Sequence, residues 1–427
     1  MQVCNVAYLM EAQHTQRCVL KGVFMMNING FNADFGNSTS NFLSDSYYFE
    51  IPTCVVEVTK EQAEGLFPSA IEDTADLLDR LLISTTIAGE ECFFMVGKLA
   101  ESSPFANSHV GKMHDKISSN IPYIIFLAAM AYAYKINSDD NIGEIEVENM
   151  KMMLPIWLLK KEDKFSIAQN KMVNRFVGEH NVKLLTVGME TDLIINIKNA
   201  KCYIESEVGR WALKYKVVND KEKGATVIEK RTEARKFDAN ETVLVDIGGG
   251  STDAVLLVKG LGTPVSKESF QVVQIDPYLG RLEKLLKEKL LQHFPDLRSL
   301  EKFIVDNYAT QKYVRKNLNT GEKHDLTNQI VQMLQEYANV LVYKVMDSFN
   351  GNTTGALKFI YFGGEAPILE PYIKECVKRS TNEDIMENNH YFLGDLLDES
   401  ADEVFRPTSR TINLAALEIL SLSEKTK

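Results

Sequence analysis

The sequence predicts an α/β protein built from two domains, and three observations support this prediction. A chain of 427 residues is longer than one ordinary hydrophobic core requires, so two domains are expected. Short apolar runs typical of strands alternate along the chain with helical patterns. Two of the predicted strands, one in each half of the chain, end in an aspartate that is followed by glycine and hydroxyl side chains. These two aspartates are Asp34 and Asp246.

The more informative of the two stretches reads VLVDIGGGSTD and occupies 243–253. Its first three residues predict a buried strand, and 254–258 predict the second strand of a hairpin. Glycines at the tip of such a hairpin let backbone N–H groups approach a ligand and form a concavity that binds phosphate. The predicted phosphate-binding residues are Gly248, Gly249, Gly250, Ser251 and Thr252. An acid beside a phosphate cradle requires a cation, so Asp246 is predicted to hold Mg²⁺; the alternative is a purely structural hairpin.

The stretch at 29–42 predicts a weaker copy of the same hairpin. Asp34 stands at the end of a strand, and small residues with backbone and hydroxyl donors follow it. The predicted phosphate-binding residues here are Gly36, Asn37, Ser38 and Thr39. Turns of this composition are common, so this stretch gains its meaning from being the partner of the glycine loop at 248–250.

Two further segments complete the set of candidate functional residues. Glu205 falls where a strand passes into a helix, and could orient a water or could simply favour the helix dipole; the sequence supports both interpretations equally. Gly363, Gly364, Glu365 and Ala366 join a strand to a helix, an arrangement that lets a flat base or sugar lie against the backbone, although an ordinary turn is the simpler interpretation. Residues 216–241 are charged and predict a solvated insertion, and 60–82 predict a polar helix.

Composition limits the partners and the compartment. The net charge of −12 disfavours direct binding to DNA or to anionic membranes. The apolar stretch at 121–136 is shorter than a bilayer span and is therefore predicted to be a buried helix. Six scattered cysteines without a CxxC pair fit a reducing cytoplasm and argue against a disulfide framework or a zinc site.

The N-terminal stretch predicts a natural start downstream of Met1. Residues 21–23, Lys-Gly-Val, can be encoded by a sequence that contains a bacterial ribosome-binding site, and Met25 and Met26 follow directly. We therefore expect translation to start at Met25 or Met26 and the extension within 1–25 not to be native. Mass spectrometry of the native N-terminus tests this expectation, which a chain beginning at Met1 would disprove.

Taken in order, these segments resemble the nucleotide-binding motifs of the actin/Hsp70/sugar-kinase superfamily. DFGNST at 34–39 resembles the phosphate 1 motif, DIGGGSTD at 246–253 phosphate 2, and GGEA at 363–366 the adenosine motif. Ile-Glu-Ser at 204–206 resembles the Pro-Glu-Ser of ParM-type bacterial actins, and MLPI at 153–156 resembles their Leu-Pro-Ile strand. From residue 26 to the C-terminus, the chain resembles ParM-like plasmid-segregating actins.

The resemblance implies an actin-like fold, with two related ribonuclease-H-like domains and a nucleotide cleft between them. Domain I would comprise 26–215 and 408–427, with a small subdomain near 45–95; domain II would comprise 242–407, after the insertion at 216–241. Asp34 and Asp246 would hold Mg²⁺ and the catalytic water, and Glu205 would position the attacking water. The four residues at 363–366 would bind adenosine, and the substrate would be ATP or GTP.

The implied function is that of an ATPase, or alternatively a GTPase, that forms dynamic cytoplasmic filaments and segregates plasmid DNA. A small DNA-binding adaptor on centromere-like plasmid DNA would hold the filament end, without direct DNA or membrane binding by this chain. One departure is Asn41, where many members of the family have a lysine that contacts the phosphates.

The alternative function is that of a non-polymerising phosphohydrolase of the exopolyphosphatase type, which shares the loop at 246–252. That class would be expected to have glutamate in place of Asp253 and to lack the turn at 363–366. A sugar kinase, an Hsp70-type chaperone and a membrane-tethered division actin are disfavoured. The sequence shows no second catalytic base, peptide-binding domain or basic amphipathic tail that these would need.

Overall fold

The computed structural model describes residues 24–103, 115–220, 225–349, 355–397 and 402–425. Residues 1–23, which make up most of the predicted extension within 1–25, lie outside these ranges. The strands are β1 Phe24–Phe35, β2 Thr39–Ser44, β3 Tyr47–Pro52, β4 Val55–Val58, β5 Leu82–Ile87, β6 Glu90–Val96, β7 Ile142–Leu154, β8 Gly178–Leu184, β9 Thr191–Ile204, β10 Tyr215–Asp220, β11 Ala225–Lys230, β12 Thr242–Ile247, β13 Thr252–Leu257, β14 Phe270–Val272, β15 Val314–Lys316, β16 Lys323–Asp325, β17 Lys358–Phe362 and β18 His390–Phe392. The α-helices are α1 Lys60–Glu64, α2 Lys98–Glu101, α3 Ile121–Lys135, α4 Ile156–Leu159, α5 Phe165–Val173, α6 Arg210–Lys214, α7 Tyr278–Leu285, α8 Leu297–Asn307, α9 Thr327–Phe349, α10 Ala366–Ser380, α11 Glu383–Asn389 and α12 Ile412–Lys425.

The first large sheet takes all its strands from the first half of the chain, in the order β3-β2-β1-β7-β9-β8-β5-β6-β4. Its centre is parallel, since β1 pairs in parallel with β7 and β7 with β9. Helix α3 packs on this sheet and is apolar all round, as the sequence predicted for a buried helix. Within the described residues, no helix has the length and apolarity needed to cross a bilayer. The parallel arrangement brings the carboxyl ends of β1, β7 and β9 to one edge of the sheet.

The second sheet has the order β14-β13-β12-β17-β18, with β12 and β13 forming the predicted antiparallel hairpin. Strand β12 pairs in parallel with β17, and this register places Asp246 beside Phe362, directly before the turn at 363–366. Helices α7, α9 and α10 bury their apolar sides in a core on this sheet. Apolar residues of α9, among them Ile330, Leu334 and Leu341, recur at helical spacing and are buried in this core.

Helix α12 connects the two halves of the protein. It contacts β1, β7 and α6 on the side of the first sheet. Its residues Ile412 and Leu417 also share a buried cluster with Leu244 and Val255 of the second sheet. Helix α12 therefore packs where the two units meet. The domain boundaries given above, 26–215 plus 408–427 for domain I and 242–407 for domain II, stay a prediction.

Two expectations about local structure need correction. The helix predicted over 60–82 is only α1, which ends at Gly65, and a 3₁₀ turn at Thr74–Asp79; glycine and the following Pro68 stop the helix. Residues 216–241 are not simply a solvated stretch, because β10 and β11 form a hairpin there and Phe237 is buried. Val217 and Val218 of β10 are buried, whereas Glu229 and Lys230 of β11 are exposed, so the middle of the hairpin packs while its charged ends are solvated.

Candidate functional site

Two glycine-containing turns, one from each sheet, face each other across a cleft. The turn after β1 is held by a hydrogen bond from the Gly36 N–H to the Asp34 carbonyl at 3.0 Å. The turn between β12 and β13 is held by a hydrogen bond from the Gly248 N–H to the Ser251 carbonyl at 3.0 Å. Both turns line the same cleft. Sequentially distant hairpin tips therefore meet, as a two-sided grip on phosphates requires.

The two predicted metal-binding aspartates lie on opposite sides of this cleft in different environments. Asp246 Oδ2 accepts hydrogen bonds from Asn413 Nδ2 at 2.9 Å and from Ser206 Oγ at 3.2 Å. Asp34 Oδ1 is buried and has no hydrogen-bond partner among the described residues. Burial, and next the Glu205 carboxylate, raise the pKa of both aspartates to about 7. Such carboxylates favour a bound cation.

Glu205 projects from the junction between β9 and the following turn, as predicted. Its Oε2 lies 3.4 Å from the Nζ of Lys116, a buried lysine that also lines the cleft. The next residue, Ser206, has a φ of +69°, a left-handed conformation that is uncommon for a residue with a side chain and costs it energy. The strained backbone and Lys116 together fix where the Glu205 carboxylate points.

The turn at 363–366 closes the cleft beside Asp246. Gly363 has a φ of +99°, and a Cβ built there would lie 2.5 Å from both Asp246 Oδ1 and the Ile247 carbonyl oxygen. Glu365 is buried, its Oε2 has no partner among the described residues, and burial raises its pKa to about 8. The turn thus brings backbone close to the site in a way that only glycine permits at residue 363.

Substituting Gly363 with alanine is expected to destabilise the protein by about 1–3 kcal/mol and to weaken nucleotide binding, because the new Cβ overlaps the Asp246 carboxylate. Denaturant unfolding and titration with a fluorescent nucleotide measure the two effects. Gly364→Ala is the matched control for stability, since a Cβ there meets nothing closer than the Arg410 side chain at 3.6 Å. Equal stability of the two variants would contradict the argument.

Most of the residues predicted for the site line the cleft. They are Asp34, Gly36, Asn37, Ser38, Thr39, Glu205, Asp246, Gly248, Gly249, Gly250, Ser251, Gly363, Gly364 and Glu365. Two predicted residues do not line it. The Thr252 hydroxyl lies 3.5 Å from the Tyr337 hydroxyl, and Ala366 is buried at the start of α10.

The structure adds lining residues that sequence reasoning did not assign to the site: Lys116, Pro155, Trp157, Asp253, Arg410 and Asn413. Two of them carried a signal: Pro155 lies in the MLPI run at 153–156, and Asp253 is the last residue of the DIGGGSTD run. The carboxylate of Asp253 also links two elements. Its Oδ2 accepts a hydrogen bond from the Ile156 N–H at 3.2 Å, which joins the second sheet to the first at the base of the cleft. Asn41, where a lysine was noted as missing, accepts a hydrogen bond from the Tyr48 hydroxyl at 2.9 Å.

The charge of the lining fits a divalent cation. Among the described residues that line the cleft, five carboxylates face only two basic side chains, Lys116 and Arg410. No cluster of three potential metal-ligating side chains is found in the described part of the chain. A Mg²⁺ site made by one or two carboxylates, waters and substrate phosphates does not need such a cluster. Asp34 and Asp246 therefore suit this ion.

Comparison with known proteins agrees with this geometry. The crystal structure of the actin-like protein Alp7A is 42% identical in sequence, with a TM-score of 0.82, and the match covers 94% of this chain and 97% of that one. The chain belongs to the Alp7A family of actin-like proteins. A family model described as the Alp7A C-terminal domain matches 241–396. A search of curated proteins gave no match.

More distant structures share the fold of this Alp7A relative. Bacillus thuringiensis ParM with ATP is 15% identical, with a TM-score of 0.60, over 93% of this chain and 99% of that one. A subunit of a 15-stranded ParM filament from Clostridium botulinum is 14% identical, with a TM-score of 0.61, over 93% and 100%. The predicted actin-like fold and the resemblance to ParM are confirmed, and the family favours the actin-like function over the phosphohydrolase alternative.

Proposed function

We propose that this Alp7A relative is an ATPase or a GTPase that forms dynamic filaments and segregates plasmid DNA in the cytoplasm. The observation that carries the proposal is the meeting of the two glycine-containing turns and Glu205 in one acidic cleft of an actin-like fold. Bacillus thuringiensis ParM is known with ATP, and a ParM of Clostridium botulinum is known as a filament. Both relatives support nucleotide use and self-assembly by this chain.

The residues of the cleft divide the chemistry among them. Backbone N–H groups and hydroxyls of the turns at 36–39 and 248–251 bind the phosphates. Glu205, held by Lys116, orients the attacking water and accepts its proton. Asp34 and Asp246 would hold Mg²⁺, and the bound ion would supply positive charge to the phosphates. Lys116 and Arg410 add positive charge that the hairpin lacks at Asn41.

The cleft must open to admit a nucleotide. Its volume is about 120 Å³, below the roughly 300–1,000 Å³ of pockets that hold small molecules. Two contacts join the first half of the chain to the second: Arg298 of α8 forms an ion pair with Glu101 of α2 at 2.7 Å, and Ser38 Oγ of the cleft donates to Glu301 Oε1 at 3.5 Å. We infer that nucleotide entry and release move the two sheets apart, so the nucleotide state controls subunit shape and therefore assembly.

In this proposal, the filament is linked to plasmid DNA by a partner protein. A chain of net charge −12 does not attract the phosphate backbone, so a DNA-binding adaptor on centromere-like plasmid DNA holds the filament end. The adaptor decides which filaments persist, because filaments whose ends are not held come apart after hydrolysis.

Light scattering with Mg²⁺ and ATP, GTP, ADP or no nucleotide tests the proposal, followed by negative-stain microscopy. Scattering is expected to rise with a triphosphate and then to decay, with filaments visible on the grid. The preferred triphosphate identifies the substrate. Absence of polymer well above micromolar protein, together with turnover of polyphosphate, would instead support the exopolyphosphatase-type enzyme.

A further inference from the structure

A basic hairpin with an exposed leucine projects from the second half of the protein. Strands β15 and β16 form a two-stranded sheet of their own, and the turn between them carries Leu318, which is 88% exposed. Residues 312–325 contain four basic and two acidic side chains in a chain of net charge −12. Among the described residues, Lys312, Lys316 and Lys323 form no ion pair. This segment, 312–325, is called the knob hairpin below.

A groove whose lining includes acidic and apolar side chains lies on the first sheet. It forms beyond the point where β5 and β8 pair, because they pair only through Ile83 with Leu184 and Ser84 with Lys183. Its volume is about 410 Å³, within the roughly 300–1,000 Å³ range of pockets that hold small molecules. The groove, named here the sheet groove, is lined by residues of β5, β6, β7, β8 and β9.

The lining of the sheet groove is apolar and acidic. Ile142 and Ile194, 62% and 41% exposed, offer apolar surface at the amino ends of β7 and β9. Glu91, Glu144 and Asp192 provide negative charge; Lys183 is the basic residue of the lining, and it lies 4.0 Å from Glu91. These amino ends are the ends of β7 and β9 opposite the nucleotide cleft, which lies at their carboxyl ends.

We propose that the knob hairpin of one subunit docks into the sheet groove of a second copy of this chain. Leu318 would cover Ile142 and Ile194, and the lysines of the hairpin would face Glu144 and Asp192. Charge complementarity selects the occupant, since a basic projection on an acidic protein finds its complement on another copy. The contact joins two different surfaces, so it is heterologous and can repeat without closing. This inference rests on the proposed filament function and supplies one of its contacts.

Leu318→Glu and Ile142→Glu each place a charge in the proposed apolar contact, while both residues are exposed in the monomer. We expect each to raise the critical concentration for assembly by about tenfold or more, measured by pelleting with Mg²⁺ and the triphosphate. Val265→Glu is the matched control, since Val265 is 80% exposed and lies outside both surfaces; its critical concentration should equal that of the wild type. Nucleotide affinity should be the same in all three variants.

A mixing experiment separates loss of the contact from loss of folding. Leu318→Glu keeps an intact groove and Ile142→Glu keeps an intact hairpin. At a concentration where neither variant assembles alone, the mixture should therefore form a 1:1 dimer by analytical ultracentrifugation. Assembly of either variant at the wild-type critical concentration, or a mixture that stays monomeric, would overturn the proposal. Failure of the wild type to assemble with any nucleotide would instead overturn the proposed filament function.

Discussion

Glu205→Gln is expected to slow phosphate release from the triphosphate by about 10²–10⁴-fold while nucleotide still binds. Glutamine has nearly the same shape as glutamate but cannot accept the proton of the attacking water. It also loses the charge that pairs with Lys116 at 3.4 Å. Filaments of this variant should assemble and fail to decay, because hydrolysis is the step that weakens them. A phosphate-release assay and the scattering time course measure both consequences.

Glu207→Gln is the matched control for this variant. Glu207 lies two residues further along the same turn and pairs with Arg210, outside the cleft lining. Its substitution should leave hydrolysis unchanged. Wild-type hydrolysis by Glu205→Gln would mean that Glu205 merely favours the dipole of the helix that follows, which is the second interpretation that the sequence allowed.

The local parts of the site could be predicted from the sequence, because each depends on a few adjacent residues. A strand, an aspartate and a glycine turn are visible in the run at 243–253, and the hairpin of β12 and β13 forms there. The turn at 363–366 and the junction at Glu205 are local in the same sense. Which of these local parts lie next to one another in space could be predicted only through the resemblance to a known fold.

The partners of these residues could not be predicted, because the contacts join distant parts of the chain. Asn413 donates to Asp246 across 167 positions, and Lys116 reaches Glu205 across 89. No spacing rule links such residues in a single sequence. The hairpin of β10 and β11 was missed for a different reason, since charged residues on both sides in the sequence obscured the short buried run of Val217 and Val218.

The Arg231–Glu403 ion pair fastens this hairpin to the rest of the protein. Their side chains are 1% and 2% exposed, and Arg231 Nε donates to the Ala212 carbonyl at 2.8 Å. The segment around Glu403 also bonds to β10, since the Val404 N–H donates to the Val217 carbonyl at 2.9 Å. The ion pair therefore joins the hairpin, α6 and the segment that leads to α12.

Arg231→Met is expected to lower the free energy of unfolding by about 3–5 kcal/mol, because it leaves the Glu403 carboxylate buried without its partner. Arg235→Met is the control: Arg235 is exposed on the adjoining 3₁₀ turn, and its loss should change stability by no more than about 0.5 kcal/mol. Denaturant unfolding measures both changes, provided that the free energy of unfolding depends on denaturant concentration with the same slope in each variant. The double variant Arg231→Met, Glu403→Leu should recover much of the loss, since no charge then stays buried alone. If it were as unstable as Arg231→Met, packing by the arginine rather than the isolated carboxylate would be the cause.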